Sequence, residues 1–300
     1  MMKHFGRVIT AMITPFTADG AVDYDGAVAL AKHLIAHGSE GLLVGATTGE
    51  GAVMSEEEKL KLYDRMVKEV GSKASGKKVP VMANVGGIDT KASIAFGKKV
   101  EALGVDAILA IVPFYVKPTQ EGMYQHFKAI ASALDVPVVL YNVPGRTNVS
   151  IQPATVKRIV DACPNVVGIK DATGNWDQVT QEKMLLPEDF MIYSGDDAFT
   201  YPILTAGGTG VISVSSHIIG DDMLAMVDAW YQGDAKKAFE LHKKTYPINK
   251  GLFFITSPIP VKTAVNLLGL PGGHFRLPMV PANEAEKAHI IQMLKDYGLL

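Results

Sequence analysis

Short apolar runs recur along the chain at regular intervals. Eight of them are four to six residues long and rich in β-branched side chains, which is typical of strands that are buried on both faces. The runs are Val8–Ile13, Gly41–Val44, Val79–Ala83, Ala107–Val112, Val138–Tyr141, Val166–Ile169, Phe190–Tyr193 and Gly210–Val214. Successive runs begin 20 to 38 residues apart, so each gap can hold a helix that returns the chain for a parallel strand.

The segments between the runs carry helical signals. An apolar stripe at helical spacing ends at Gly38, a common residue just past a helix. Ser55 and Glu58 have the spacing of a capping box, and Asp89 or Thr90 can cap a later helix. Beyond the eighth run, only helical patterns follow: Met223–Gln232, Ala235–Tyr246, Ile259–Leu268 and Asn283–Tyr297.

Eight strand–helix units within about 220 residues indicate an α/β fold. Their number and even spacing favour a (β/α)8 TIM barrel over an open, doubly wound sheet. We therefore predict a (β/α)8 barrel over residues 1–230, followed by a C-terminal helical extension over residues 231–300.

Composition narrows the classes of function. Lys and Arg total 29 against 31 Asp and Glu, a formal net charge of −2, so nothing favours a nucleic-acid partner. The longest apolar run, Ala107–Val116, contains a proline and is shorter than the roughly 20 residues of a membrane helix. The single cysteine, Cys163, excludes an intrachain disulfide and fits a reducing cytoplasm. We expect a cytoplasmic protein that binds neither nucleic acid nor membrane, with Cys163 as a small buried residue.

In a barrel of this kind, functional residues gather in the loops that follow the strands. The second run leads into a loop of small residues in which Thr47 and Thr48 add hydroxyl donors. Such a loop can hold a carboxylate, although it can also be a tight turn alone. The fifth run ends at Tyr141, and Arg146 follows; that arginine can bind a second carboxylate or be an ordinary surface charge.

Lys170 ends the sixth apolar run. Burial disfavours the charged ammonium and lowers the pKa of a lysine, and a neutral amine can attack a carbonyl to form a Schiff base. The alternative is a lysine paired with its neighbour Asp171.

Two further loops have competing interpretations. Asp196 and Asp197 follow the seventh run, where helix capping is favoured over metal binding because adjacent side chains point apart and no third ligand is evident. Gly207–Gly210 can cradle a phosphate, as in a phosphosugar or flavin barrel, but a tight turn into the eighth strand is favoured. The histidines show no metal-ligand spacing, so no metal site is predicted.

Taken together, the loop motifs resemble those of the dihydrodipicolinate synthase family of pyruvate-dependent class I aldolases. The matching segments are GATTGE (45–50), YNVPGRT (141–147), GIKDATG (168–174), PIPVK (258–262) and RLPM (276–279). The resemblance spans nearly the whole chain, and the set is far more specific than any one motif.

The resemblance implies a lyase of lysine (diaminopimelate) biosynthesis that needs no cofactor. Lys170 would form a Schiff base with pyruvate and condense it with L-aspartate 4-semialdehyde. The catalytic residues would be Lys170, Tyr141, Thr47 and Tyr115, with Tyr115 reaching in from a neighbouring subunit of a homotetramer. The substrate-binding residues would be Thr48, Arg146, Gly195 and Ile212.

Two questions stay open within the resemblance. Another aldolase or dehydratase of the same superfamily, acting on a sugar acid or a hydroxyproline-derived acid, is the alternative activity, although Arg146 favours the synthase. Positions matching the family's lysine-effector site carry Glu56, Lys59, Ile88 and Ala92. Because Ile88 and Ala92 offer no polar side chain, we predict weak or absent inhibition by lysine.

Overall fold

A computed structural model describes residues 5–72 and 79–300 of the chain. Eight parallel strands close into a barrel in chain order, with β8 paired to β1. They are β1 (Val8–Ala11), β2 (Gly41–Val44), β3 (Val81–Asn84), β4 (Ala107–Ile111), β5 (Val138–Asn142), β6 (Val166–Asp171), β7 (Met191–Ser194) and β8 (Gly210–Ser213). The predicted barrel and all eight strands are confirmed, with strand ends differing by at most two residues.

Helices lie between the strands and continue beyond β8. They are α1 (Tyr24–Ala36), α2 (Glu56–Glu69), α3 (Thr90–Glu101), α4 (Gln120–Ser132), α5 (Pro144–Thr147), α6 (Pro153–Ala162), α7 (Trp176–Leu185), α8 (Thr200–Thr205), α9 (Ser216–Tyr231), α10 (Ala235–Gly251), α11 (Ile259–Leu267) and α12 (Glu284–Tyr297). Short 3₁₀ helices cover Gly51–Val53 and Asp197–Phe199. Ser55 and Glu58 form the predicted capping box of α2, and Asp89 rather than Thr90 caps α3.

The strands read as continuous apolar runs because both of their faces are buried. One set of side chains, including Ile9, Leu43 and Val139, fills the barrel interior. The alternate set, including Val8, Leu42 and Val138, packs against the surrounding helices. This alternation leaves polar side chains on the inner face only where strands end, and there they can reach a ligand.

The C-terminal helices pack onto one side of the barrel. Helix α10 lies against α9 and α12 and continues five residues past the predicted end at Tyr246, through Pro247. The helix survives this proline because Ile248 and Asn249 beyond it are buried. The division between residues 230 and 231 stays a prediction. No helix among the described residues is both long and apolar enough to cross a membrane.

The Gly207–Gly210 segment is the tight turn into β8, as favoured from sequence. The N–H groups of Gly207, Gly208 and Thr209 donate to the carbonyls of residues 204, 203 and 192 at 3.0, 2.8 and 2.7 Å. A phosphate would have to displace these bonds. The segment also precedes β8, so it lies at the end of the barrel opposite the loops that follow the strands.

Candidate functional site

Lys170 and Tyr141 lie side by side on the inner face of the barrel. The register of β5 and β6 pairs the two residues directly, and both occupy positions that point inward. The Lys170 Nζ lies 4.4 Å from the centroid of the Tyr141 ring. Lys170 is 4% exposed and Tyr141 5% exposed. An amine and a phenol therefore share a nearly dry chamber at the end of the strands.

Burial lowers the pKa of Lys170 to about 8. The Asp197 carboxylate opposes this shift, whereas the Arg146 guanidinium adds to it. The alternative pairing with Asp171 is wrong, because successive side chains of a strand point to opposite faces. The Asp171 carboxylate instead accepts hydrogen bonds from the N–H and hydroxyl of Thr173 at 3.0 and 2.6 Å. About one-tenth of the Lys170 amine is consequently uncharged at pH 7.

The Tyr141 phenol stays protonated at physiological pH. Burial raises its pKa to about 12, although the Arg146 charge and the nearby Thr47 hydroxyl oppose the shift. A protonated phenol next to a threonine hydroxyl can both donate and accept hydrogen bonds. The pair can therefore move a proton to or from an atom bound beside Lys170.

The Thr47–Thr48 loop follows β2 in a compact turn. Gly45 has a φ of +67°, and Glu50 adopts the left-handed conformation with a φ of 52°. Thr47 lines a cavity of about 330 Å³. The side chain of Thr48 is buried and is not among the residues that line this cavity. The structure thus brings Thr47 to the site and leaves Thr48 behind it.

A second cavity of about 620 Å³ opens above the strand ends. Its walls include Tyr141, Arg146, Gly195, Asp196 and Lys250. Arg146 lines both cavities and donates from Nη2 to the carbonyl of Ser257 at 3.2 Å. This placement sets a guanidinium at the mouth, within reach of an anionic molecule that enters toward the amine.

Gly195 leaves room for the Lys170 side chain. A Cβ at position 195 would lie 2.7 Å from the Cβ of Ala172 and 3.2 Å from the Cε of Lys170. A side chain here would press directly on Lys170. Ile212 is 1% exposed in the barrel interior beside Ile9, and it is not among the residues that line either cavity.

Tyr115 is not brought to Lys170 within this chain. It is 86% exposed and is not among the residues lining the two cavities. Its φ of +64° is an unusual conformation for a non-glycine residue, of the kind that often marks a functional position.

The two aspartates after β7 differ in role. Asp196 caps the short 3₁₀ helix by accepting from the N–H of Ala198 at 2.9 Å, as the capping interpretation predicts. Asp197 is fully buried and accepts from the N–H groups of Val214 and Ser215 at 2.9 and 3.2 Å. Sequence reasoning missed that Asp197 binds the loop after β8 and places a carboxylate near Lys170.

Two further sequence predictions concern metal binding and Cys163. Across residues 5–72 and 79–300, no group of three His, Cys, Asp or Glu residues is placed to hold a metal ion. Cys163 is 2% exposed, with its sulfur 3.6 Å from the Ser132 hydroxyl. It is the small buried residue expected from the sequence.

Three charged residues behind the threonine loop were not foreseen in any role. They are Glu50, Lys262 and Arg276. The Lys262 ammonium and the backbone N–H of Arg276 each donate a hydrogen bond to the Glu50 carboxylate. Lys262 and Arg276 belong to the PIPVK and RLPM segments quoted above. A lysine among the apolar residues of the PIPVK segment was the available signal, because a buried ammonium requires a partner.

Comparison with known proteins gives one family across the chain. The model of the dihydrodipicolinate synthetase family matches residues 4–297. The 4-hydroxy-tetrahydrodipicolinate synthase of Moorella thermoacetica is 47% identical over 296 residues, covering 99% of both chains. That of Bacillus subtilis is also 47% identical, covering 98% of this chain and 99% of the relative.

Solved structures agree with the sequence matches. The dihydrodipicolinate synthase of Cyanidioschyzon merolae, solved with lysine bound, superposes with a TM-score of 0.95 at 40% identity over 99% of both chains. The Thermotoga maritima dihydrodipicolinate synthase gives a TM-score of 0.94 at 40% identity, over 99% of this chain and all of that one.

Proposed function

The chain belongs to the dihydrodipicolinate synthetase family, and from that premise we propose that it catalyses the 4-hydroxy-tetrahydrodipicolinate synthase reaction through a Schiff base on Lys170. It is a lyase that joins pyruvate to L-aspartate 4-semialdehyde in lysine biosynthesis. The observation that carries the proposal is the buried Lys170 amine, which lies 4.4 Å from the ring of Tyr141, a residue that lines the 620 Å³ cavity. Burial lowers the pKa of this amine to about 8 and so favours its neutral form.

The first stage is imine formation. The neutral Nζ of Lys170 attacks the ketone carbon of pyruvate, and the resulting carbinolamine loses water. The Tyr141 phenol protonates the departing hydroxyl and is itself reprotonated through the Thr47 hydroxyl. This relay suits the two groups because each can donate and accept a proton.

The second stage forms the carbon–carbon bond. The positively charged imine draws electrons from the former methyl group of pyruvate, so loss of a proton gives an enamine. The enamine carbon attacks the aldehyde carbon of the semialdehyde, and that oxygen gains a proton. The amine of the semialdehyde then attacks the imine carbon, closes the ring and releases Lys170. No cofactor is required, because the imine nitrogen is the electron sink.

Binding of the two carboxylates is assigned to separate donors. The threonine loop, with Thr47 at the cavity wall and Thr48 behind it, holds the carboxylate of pyruvate. Arg146 binds that of the semialdehyde at the mouth, where a planar guanidinium suits a carboxylate. Gly195 leaves space for Lys170, and Ile212, whose side chain is buried, is assigned to the substrate through its backbone.

The proposed oligomer supplies one further residue to the site. Tyr115 is exposed on this chain and would enter the site of a neighbouring subunit as the third member of the proton relay. A homotetramer built as a dimer of dimers provides that contact. We place the enzyme in the cytoplasm, which suits the single reduced thiol of Cys163.

Turnover with both substrates tests the assigned reaction. Purified enzyme with pyruvate and L-aspartate 4-semialdehyde should form the cyclic product, detected by a coupled reductase that oxidises a nicotinamide cofactor. Formation of a pyruvate Schiff base without turnover of the semialdehyde would contradict the synthase assignment. It would point to another aldolase or dehydratase, an alternative that the names of the relatives do not favour.

A further inference from the structure

A buried ion pair lies behind the threonine loop. One of its members, Glu50, borders the 330 Å³ cavity, but its carboxylate is turned away from solvent and bound to Lys262. The Lys262 side chain is 0% exposed and that of Glu50 is 2% exposed. The Lys262 Nζ donates to Glu50 Oε1 at 2.6 Å and to the carbonyl of Thr14 at 2.8 Å. Two charges withdrawn from water cost more than the pair usually returns in stability. A role other than stability is therefore the better explanation of this pair.

The second oxygen of Glu50 is also bound. Its Oε2 accepts from the backbone N–H of Arg276 at 3.2 Å. The Arg276 guanidinium binds the Glu58 carboxylate at 2.5 and 2.8 Å and the carbonyl of Val53 at 3.0 Å. The segment from the loop into α2 is thereby tied to the C-terminal part of the chain.

These bonds continue directly into the threonine loop. The N–H of Glu50 donates to the carbonyl of Thr47 at 3.1 Å, and the Thr14 hydroxyl donates to the carbonyl of Gly49 at 2.7 Å. Thr14 is the same residue whose carbonyl accepts from Lys262. The carbonyls of Thr47 and Gly49 are thus held by Glu50 and Thr14. Both of these residues also accept a hydrogen bond from the Lys262 ammonium.

We propose that Lys262 and Glu50 are positioning residues that hold the Thr47–Thr48 loop in the conformation that binds the carboxylate of a 2-oxo acid. This inference rests on the proposed function and adds the residues that make its anion site rigid. Neither side chain touches the substrate. The ion pair acts by keeping Glu50 in its left-handed conformation, which an extended loop would abandon.

Substitution of the pair should weaken binding of the carboxylate and spare attack on the ketone. In Lys262→Met the Glu50 carboxylate is left buried without its partner, so the loop must open to hydrate it. In Glu50→Gln the charge is lost but the side-chain shape is kept. The double variant Glu50→Gln/Lys262→Met contains no uncompensated charge. Lys244→Met is the matched control, because it removes a surface ion pair with Asp222 from the same C-terminal region.

The readout is borohydride trapping of the Lys170 imine with two ketones. Pyruvate needs the carboxylate site, whereas acetone has the same methyl ketone and no carboxylate. For Lys262→Met and Glu50→Gln, the pyruvate concentration for half-maximal trapping should rise about tenfold or more. Acetone trapping should change less than about twofold, the double variant should be milder than Lys262→Met, and Lys244→Met should match the parent.

The outcomes separate the inference from the function on which it rests. A parent enzyme that traps no pyruvate on Lys170 contradicts the proposed function. A parent that traps pyruvate, with folded variants whose pyruvate dependence is unchanged, overturns only the positioning role. An equal loss of pyruvate and acetone trapping also overturns it, since that indicates general damage to the barrel. If Lys262→Met does not fold, Glu50→Gln and the double variant decide the same comparison.

Discussion

The rate of imine formation with pyruvate should rise with pH and level off above about pH 8. We call the rising part of this pH–rate profile its limb. Only the neutral amine of Lys170 attacks the ketone, and burial lowers its pKa from 10.5 to about 8. At pH 7 about one-tenth of the amine is then neutral, compared with about 3 in 10,000 at the ordinary pKa. The barrel interior therefore raises the neutral fraction about 300-fold.

Substitution of Arg146 should shift this limb in a direction that can be predicted. Its positive charge helps to lower the pKa of Lys170, so Arg146→Gln should raise that pKa and move the limb to higher pH. The limb is measured in the second-order rate constant for imine formation with pyruvate, obtained from single-turnover trapping by borohydride, which follows the pKa of the free enzyme. Arg158→Gln is the control, because Arg158 is a half-exposed arginine paired with Glu121 on the outside of the barrel.

Two results would refute the electrostatic reasoning. A parent limb at pH 10 or above would show that the barrel does not lower the pKa of Lys170. A limb that Arg146→Gln leaves in place or moves to lower pH would show that the guanidinium does not act on the amine.

Three further predictions follow from the same geometry. Lys170→Met should raise the free energy of unfolding, measured by urea denaturation, by up to about 3 kcal/mol below pH 8. This gain should disappear as the pH rises toward 10.5. Between the two values the unfolded parent binds more protons than the folded parent, so the parent itself becomes more stable as the pH rises. Gly195→Ala should lower kcat at least about tenfold without unfolding the protein, since the new Cβ would press on Ala172 and the Lys170 Cε; activity within twofold of the parent would contradict this. Lysine at millimolar concentration should inhibit turnover weakly or not at all, because Ile88 and Ala92 lack polar side chains. Strong inhibition at lysine concentrations below about 1 mM would contradict this prediction.

The fold was predictable because each strand is buried on both faces. Continuous apolar runs identify such strands without reference to distant residues, and the lysine and tyrosine that end two of them, Lys170 and Tyr141, stand out as exceptions. The predicted site residues Thr47 and Arg146 likewise line the cavities. In these cases the residues that end or follow an apolar run are enough to identify the position as part of the site.

Other features depend on contacts that a linear pattern does not contain. Glu50 and Lys262 are 212 residues apart in sequence, so neither residue indicates its partner. Asp197 has the sequence context of a helix cap, yet it binds the loop after β8. Tyr115 shows the limit most clearly, because its proposed role depends on a neighbouring subunit that the folding of one chain does not determine.

Peptide mapping after borohydride reduction with pyruvate tests the central claim most directly. The account predicts one reduced pyruvate adduct per chain, on the peptide that contains Lys170, and its loss in Lys170→Met. An adduct on a different lysine, or no adduct in a folded enzyme that turns over both substrates, would contradict it.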